Sequence, residues 1–306
     1  MLAKNNNVTI FTYAEVGRYG LAHSLLAWAR CEIWSKDKGY QMLAPSWFFI
    51  KIGPVIRNER DKRNYYKLFD LSRYIGGAYK YFLLFTLPKI DANKRNIDKL
   101  IIKKSSLIIF TNTLQGNEEN FFHEIVGRND EVRNSLMSIV KKQLLPKAVS
   151  YKYIAIHIRM GDFQPKKKRL DLKKGEKNSR LPLEWYIEIL EGLRKKLGHV
   201  IPAIIYSDGN FSELKPILEC EKTSLSQYSS AITDLLSISN ASVLISSGSG
   251  FSMWGSFLGN VPRICYPSQR FVRVLKANNL FDMEPECETA EDIKNDFIIH
   301  LKNNGL

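Results

Sequence analysis

Cysteine is scarce in this chain and never paired in spacing. Cys31, Cys220, Cys265 and Cys287 are scattered over 306 residues, which excludes a disulfide framework and a zinc knuckle and predicts reduced thiols in a cytoplasmic protein. Long apolar runs are missing too. The opening residues, MLAKNNNVTIF, lack the apolar core of a secretion signal. The best apolar candidate, residues 79–87, is broken by Lys80 and ends at Pro88, well short of the roughly 18 residues a membrane span requires. No Asp-X-Asp triplet occurs, and none of the five histidines (His23, His123, His157, His199, His300) pairs at metal-ligand spacing. The sequence therefore predicts no metal and no other cofactor. Acidic charge is also short. The chain has 31 Asp and Glu against 45 Lys and Arg, a net charge of +14, which calls for an anionic partner: nucleic acid, a phosphate-bearing ligand or an acidic membrane surface.

What is present is otherwise ordinary for a globular protein, with 44% hydrophobic and 25% charged residues. The length suggests two domains of roughly 150 residues each. Residues 147–151 are the expected boundary, giving domains 1–148 and 149–306, with the closing helix able to pack back on the first.

In the first half, residues 8–13 read as a strand, 14–20 (AEVGRYG) as a loop, and 21–38 as a helix with Leu21, Leu25, Trp28, Ala29 and Ile33 at helical spacing. Strand, glycine loop and helix together point backbone N–H groups at an anion, which makes Gly17 and Arg18 donor-binding candidates; a plain tight turn is the alternative. Residues 79–85 and 106–111 read as strands, and 117–145 as one long helix or two short ones ended by Pro146. The second half alternates regularly. Strands are expected at 153–156, 200–206, 242–245 and 263–266. Helices are expected at 182–197, 212–220, 229–239, 251–258 and 290–302. This spacing predicts an α/β fold with a parallel sheet.

Three strand ends in that half carry polar groups of one kind. The first, in YKYIAIHIRMGD at 151–162, gives His157, Arg159 and Asp162. The second gives Ser207 and Asp208. The third gives the loop 246–252, SSGSGFS, which opens onto a helix. In a doubly wound sheet these ends share the carboxyl edge, where ligands bind. Arg159 offers a rigid fork of donors suited to phosphate. Ser247, Ser249 and Ser252 add hydroxyls and a positive helix end, and Asp208 could accept from a purine edge or a ribose. Duller roles exist for each, Asp208 as a turn former and the serines as helix caps. Together they predict a nucleotide site. Between the first and second ends lies PKKKRLDLKKGEKNSR at 165–180, eight basic residues against two acids with little apolar content. It reads as a solvated loop, or as a contact for an anionic acceptor or leaflet.

HIRMGDF resembles the His-X-Arg-X-Gly-Asp motif of the fucosyltransferase superfamily. AITDLLSISNASVLISSGSGFSMWGSFLG, at 231–259, is similar to a region of its α1,2 group, so that family 11 and its bacterial members are the nearest match. YSDG at 206–209 resembles the group's middle motif, and EVGRYGLAHSLLAWA its N-terminal loop and helix. The sequence departs from the pattern at Leu21-Ala22, at Met160, where a second basic residue often stands, and in the basic run.

The resemblance implies a GT-B type fold, two Rossmann-like domains facing a cleft, and inverting, metal-independent transfer of fucose from GDP-fucose. The acceptor would be a bacterial surface glycan or lipid-linked oligosaccharide, possible contact with an anionic membrane explaining the charge. Without a metal, Arg159 and the serine loop would neutralise the leaving diphosphate. Glu15, His23 and Asp162 are the candidate bases for the acceptor hydroxyl, with Asp162 alternatively holding Arg159 in place. Two other readings remain: a basic nucleic-acid-binding protein, disfavoured because the basic run contains no aromatic residue, and a silent nucleotide-sugar-binding relative.

Overall fold

The structure, a computed structural model, describes residues 8–16, 20–48, 65–93, 102–111, 122–161, 179–227 and 230–306, together with 164–165, 172 and 174. The chain divides into two compact units: of the described residues, those up to Ile125 together with Asn134–Lys141 form the first, and Val126–Arg133 with Lys142–Leu306 form the second. Each is built around a parallel sheet. The α/β class expected from the sequence is therefore what the chain adopts.

The sheet of the first unit contains β1 (Ile10–Ala14), β2 (Gln41–Leu43), β3 (Lys89–Asp91) and β4 (Ser106–Phe110), in the order β2-β1-β4-β3. Helix α1 (Leu21–Lys38) has the bounds its periodicity predicts. Leu21, Leu25, Trp28, Ala29 and Ile33 are all buried, and Gly39 closes the helix in the left-handed conformation, φ 67°. Buried charges on α1 are matched: Arg30 donates twice to Glu124, at 2.7 and 2.8 Å, and Glu32 pairs with Arg73 and accepts from Tyr74.

Two expectations fail here. Residues 79–85 are not a strand but part of helix α2 (Gly77–Thr86). Aromatic content suggested a strand, yet only Lys80 and Leu83 of this helix are buried, an i, i+3 pair that a helix places on one face. The 117–145 stretch supplies only one α-helix among its described residues, α3 (Asn129–Ile139). Gly127, at φ 84°, turns the chain just ahead of α3, and Val132, Leu136 and Ile139 are its buried stripe.

In the second unit the sheet contains β5 (Ile154–Ile158), β8 (Ala203–Ser207), β9 (Thr223–Leu225), β10 (Val243–Ser246) and β11 (Arg263–Cys265), ordered β11-β10-β5-β8-β9. Counted in chain order this is 3-2-1-4-5 read from β9, the doubly wound arrangement, and the order reverses between β5 and β10. A separate pair joins β6 (Gln164–Pro165) to β7 (Ser179–Arg180). Helices α4 (Leu183–Leu197), α5 (Phe211–Leu218), α6 (Ala231–Ile238), α7 (Gly250–Gly259) and α8 (Asn295–Asn303) complete the unit.

β5 is buried along its whole length, as a central parallel strand covered on both faces must be. Alternate residues serve opposite cores. Ile154, Ile156 and Ile158 pack with Trp185, Ile189 and Leu193 of α4 and with Phe297, Ile298 and Leu301 of α8. Tyr153 and Ala155 pack with Tyr206, Leu244 and Ile238. The α4 stripe is rotated from the expected one: Leu183 and Ile187 are only partly buried, while Trp185, Tyr186 and Ile189 lie inside.

All four cysteines are free. Cys31, Cys265 and Cys287 are buried, and Cys220 is partly exposed. Among the described residues no helix is long and apolar enough to cross a membrane.

Candidate active site

The reversal of strand order in the second unit brings the ends of β5 and β10 side by side, and the ends of β5 and β8 are paired beside them, His157 with Tyr206 and Ile158 with Ser207. Parallel strands align their carboxyl ends, so three polar strand ends meet at one edge.

His157 is the next-to-last residue of β5, on the face opposite Ile158, and is 5% exposed. Its Nδ1 lies 2.8 Å from Ser247 Oγ and 3.3 Å from Ser249 Oγ, and its ring stacks on Phe251 with centroids 5.0 Å apart. Burial, opposed by Asp208 and aided by Arg159, pulls its pKa down to about 3. The imidazole is neutral at physiological pH and joins β5 to the serine loop.

Arg159 stands two residues on, about a quarter exposed, and pairs with Asp208. The other carboxylate oxygen of Asp208 accepts from the Met160 N–H at 2.8 Å. One carboxylate thus holds both the guanidinium and the backbone beside it. Gly161 leaves room for this contact, because a Cβ there would lie 2.5 Å from Asp208 Oδ2 and displace the carboxylate.

The loop between β10 and α7 is folded on itself. Ser246 Oγ donates to Ser252 Oγ at 2.9 Å and Ser247 Oγ to Ser249 Oγ at 3.1 Å. Ser249 caps α7, accepting from the Ser252 N–H at 3.4 Å. Ser246, Ser247, Ser249 and Ser252 are all buried, so their hydroxyls shape the loop and bind His157. The partly exposed part is the first turn of α7, Gly250 and Phe251, where the positive helix end lies. Gly248 makes the fold of this loop possible. It sits at φ 72°, and a Cβ on it would lie 2.6 Å from the Gln269 carbonyl.

The structure thus brings together His157, Arg159, Asp208, Ser247, Ser249 and Ser252. Glu15 follows β1 and donates its backbone N–H to Phe110 O at 2.8 Å, and His23 is exposed in the first turn of α1; both belong to the first unit. Gly17, Arg18 and Asp162 lie outside the described residues, as does most of the 166–180 run. Among the described residues no three of His, Cys, Asp and Glu are gathered as metal ligands.

Sequence reasoning missed two neighbours of this site. Arg180 donates from Nε to Met160 O at 2.7 Å and from Nη1 to Glu213 at 3.2 Å, placing a second guanidinium beside the Arg159–Asp208 pair. The basic run concealed it; its position directly before the apolar start of α4 was the available signal. Gln269, 1% exposed, donates from Nε2 to Leu172 O at 3.0 Å and so ties the run to the chain beside Gly248.

No protein-family model matches this chain, and no curated protein does. Its structure is similar to solved fucosyltransferases. One is NodZ α-1,6-fucosyltransferase soaked with GDP-fucose, at 12% identity over 84% of this chain and 95% of that one, TM-score 0.47; NodZ has also been solved from Bradyrhizobium. Another is an Arabidopsis thaliana FUT1 variant in complex with GDP, at 12% identity over 87% and 72%, TM-score 0.49. A third is POFUT1 in complex with GDP, at 12% identity over 86% and 98%, TM-score 0.42.

Proposed function

We propose that this chain is an inverting, metal-independent glycosyltransferase that moves fucose from GDP-fucose to a hydroxyl of a surface glycan or lipid-linked oligosaccharide. The observation that carries the reading is the meeting of Arg159 and the serine-capped start of α7 at the point where the strand order of the second sheet reverses. An open α/β sheet binds its ligand there. The guanidinium and the helix end are both suited to a diphosphate.

In this reading the developing charge on the departing GDP is taken up by Arg159, held in place by Asp208, and by the amides at the start of α7. His157 is neutral and acts through packing, fixing the loop against β5. Arg180 adds positive charge at the same edge. The acceptor hydroxyl loses its proton to Glu15, His23 or Asp162 as the new bond forms. The absence of any Asp-X-Asp triplet from the sequence favours the protein's own cations over a bound metal as the counter-charge. The two parallel units would then be the two domains of a GT-B enzyme, the second holding the donor. The motif of residues 157–162 favours fucose as the sugar.

Calorimetric titration with GDP, with UDP as control and a chelator present, tests the donor class. Binding of GDP alone is expected, followed by release of labelled fucose from GDP-fucose. Binding of neither nucleotide overturns the proposal; GDP binding with no hydrolysis or transfer to any glycan acceptor would make the chain a silent relative.

A further inference from the structure

Helix α2 of the first unit is built inside out. Its single charged residue, Lys80, is 5% exposed, donates to Ser46 Oγ at 2.7 Å and lies over the Tyr13 ring, 5.4 Å from its centroid. Burial lowers its pKa. The aromatic residues lie outward: Tyr79, Tyr81, Phe82 and Phe85 are 55%, 55%, 59% and 85% exposed, Tyr81 with its ring centroid also 5.4 Å from the Lys80 ammonium, and the Tyr79 and Phe82 rings stack with centroids 6.3 Å apart. A surface helix normally does the reverse, and a contiguous exposed apolar face of this kind marks a contact site.

The stretch that carries this face is basic, with Asp70 and Asp91 beyond its two ends. From Arg73 to Ile90 the sequence contains no acidic residue. Lys89 is exposed and opens β3 directly after α2; Lys103 and Lys104 are exposed and precede β4. The parallel register pairs Lys89 with Leu107, and Leu107 donates to Pro88 O at 2.9 Å. All three lysines therefore stand at the amino edge of the sheet, at the end of α2 that carries Phe85.

We propose that the outward face of α2 is a docking surface for an anionic bilayer, with Tyr81, Phe82 and Phe85 entering the headgroup region and Lys89, Lys103 and Lys104 meeting lipid phosphates. Aromatic rings beside lysines are the chemistry of a helix that lies in the interface plane, and basic residues next to it draw on the negative surface potential. A second copy of this chain fits the face less well, because the stretch from Arg73 to Ile90 offers these lysines no acidic partner. The residues of this face belong to the first unit and those of the candidate active site to the second, and the inference does not depend on the reaction proposed there.

The test is co-sedimentation of the full chain with phosphatidylcholine vesicles, with and without phosphatidylglycerol. Binding is expected only with the anionic lipid. The paired substitution Phe82→Ser and Phe85→Ser should weaken it by about tenfold or more, the expected effect of withdrawing two phenyl rings from an apolar contact, with the melting temperature as a check that the fold is kept. Unchanged binding by that variant would assign vesicle attachment to charge elsewhere on the chain and overturn the proposal. So would failure of the natural chain to bind, or a dimer in light scattering that the same variant dissociates. As an independent measurement, Phe85→Trp should shift its emission to the blue on addition of anionic vesicles; an unshifted spectrum counts against insertion.

Discussion

Asp208, just beyond β8, reaches across to hold both the Arg159 guanidinium and the Met160 amide that follow β5. The end of one strand thereby sets the position of the cation on its neighbour. Arg159→Ala should abolish transfer while leaving the fold intact, since the side chain is part-exposed. Asp208→Asn should keep the shape, weaken the hold on Arg159 and lower kcat/KM by at least about tenfold, a loss of one charge-assisted hydrogen bond. Gly161→Ala should act in the same direction without touching substrate, because its methyl would push Asp208 aside. Steady-state kinetics with GDP titration of each variant decides; full activity in Arg159→Ala removes the central role assigned here.

His157 gives the fold a defined acid sensitivity. Its folded pKa, about 3, lies below the ordinary value of 6.5, so the unfolded chain takes up the proton first. The neutral folded form is favoured fully above 6.5, and that advantage falls as pH drops from 6.5 towards 3. At pH 5 the loss is about 2 kcal/mol relative to pH 7 by the linkage relation. Urea unfolding at the two pH values should show this, and His157→Gln should flatten the difference.

Gly248→Ala should be costly in two ways. It forces an L side chain to φ 72° and drives a methyl towards the Gln269 carbonyl. Stability should fall by roughly 1–3 kcal/mol, and GDP affinity should fall with it, since the serine loop and the start of α7 move together. A stable variant with undiminished affinity would show that the loop does not shape the site.

Ser249→Ala removes the cap of α7 and a contact to His157. About 1 kcal/mol of stability should go, measured by the denaturation midpoint. Ser256→Ala makes a suitable comparison: it is buried and bonded to Val261 O at 2.7 Å but lies away from the loop, so it should cost stability without altering GDP affinity.

Arg263 and Glu284 form a fully buried pair, 0% and 1% exposed in their side chains, at 2.7 Å. Arg263 also donates to Val272 O, and Glu284 accepts from the Val274 and Leu275 amides. Glu284→Ala should destabilise the second unit by about 3–5 kcal/mol, because it strands a buried guanidinium. Replacing both partners with apolar residues should recover part of that loss in thermal melting.

The second unit was largely legible because its elements follow one simple period each. β5 is apolar up to His157, α4 carries a helical stripe as α1 does in the first unit, and the polar ends of β5, β8 and β10 pointed to a shared edge that the strand order then supplied. The short strands β2, β3 and β9 escaped notice. Thr223, Ser224 and Leu225 have no apolar pattern of their own, and their place is set by pairing with Ala203, Ile204 and Ile205. Helix α2 was misread because its aromatics, which suggested a strand, face outward while its lysine is buried. Arg180 was missed because side-chain partners 20 and 33 residues away leave no local trace.

The distribution of thiols offers a handle on the two units. Burial drives Cys31 and Cys287 up to about 12 and Cys265 to about 11, so in the native chain they carry almost no thiolate, the reactive form. Cys220 is the one addressable to a maleimide dye without engineering. Cys31 belongs to the first unit, and Cys265 and Cys287 to the second. A pulse of alkylating reagent at rising urea, read by peptide mass, would time-stamp the opening of each half separately and reveal whether they come apart as one cooperative block or in sequence.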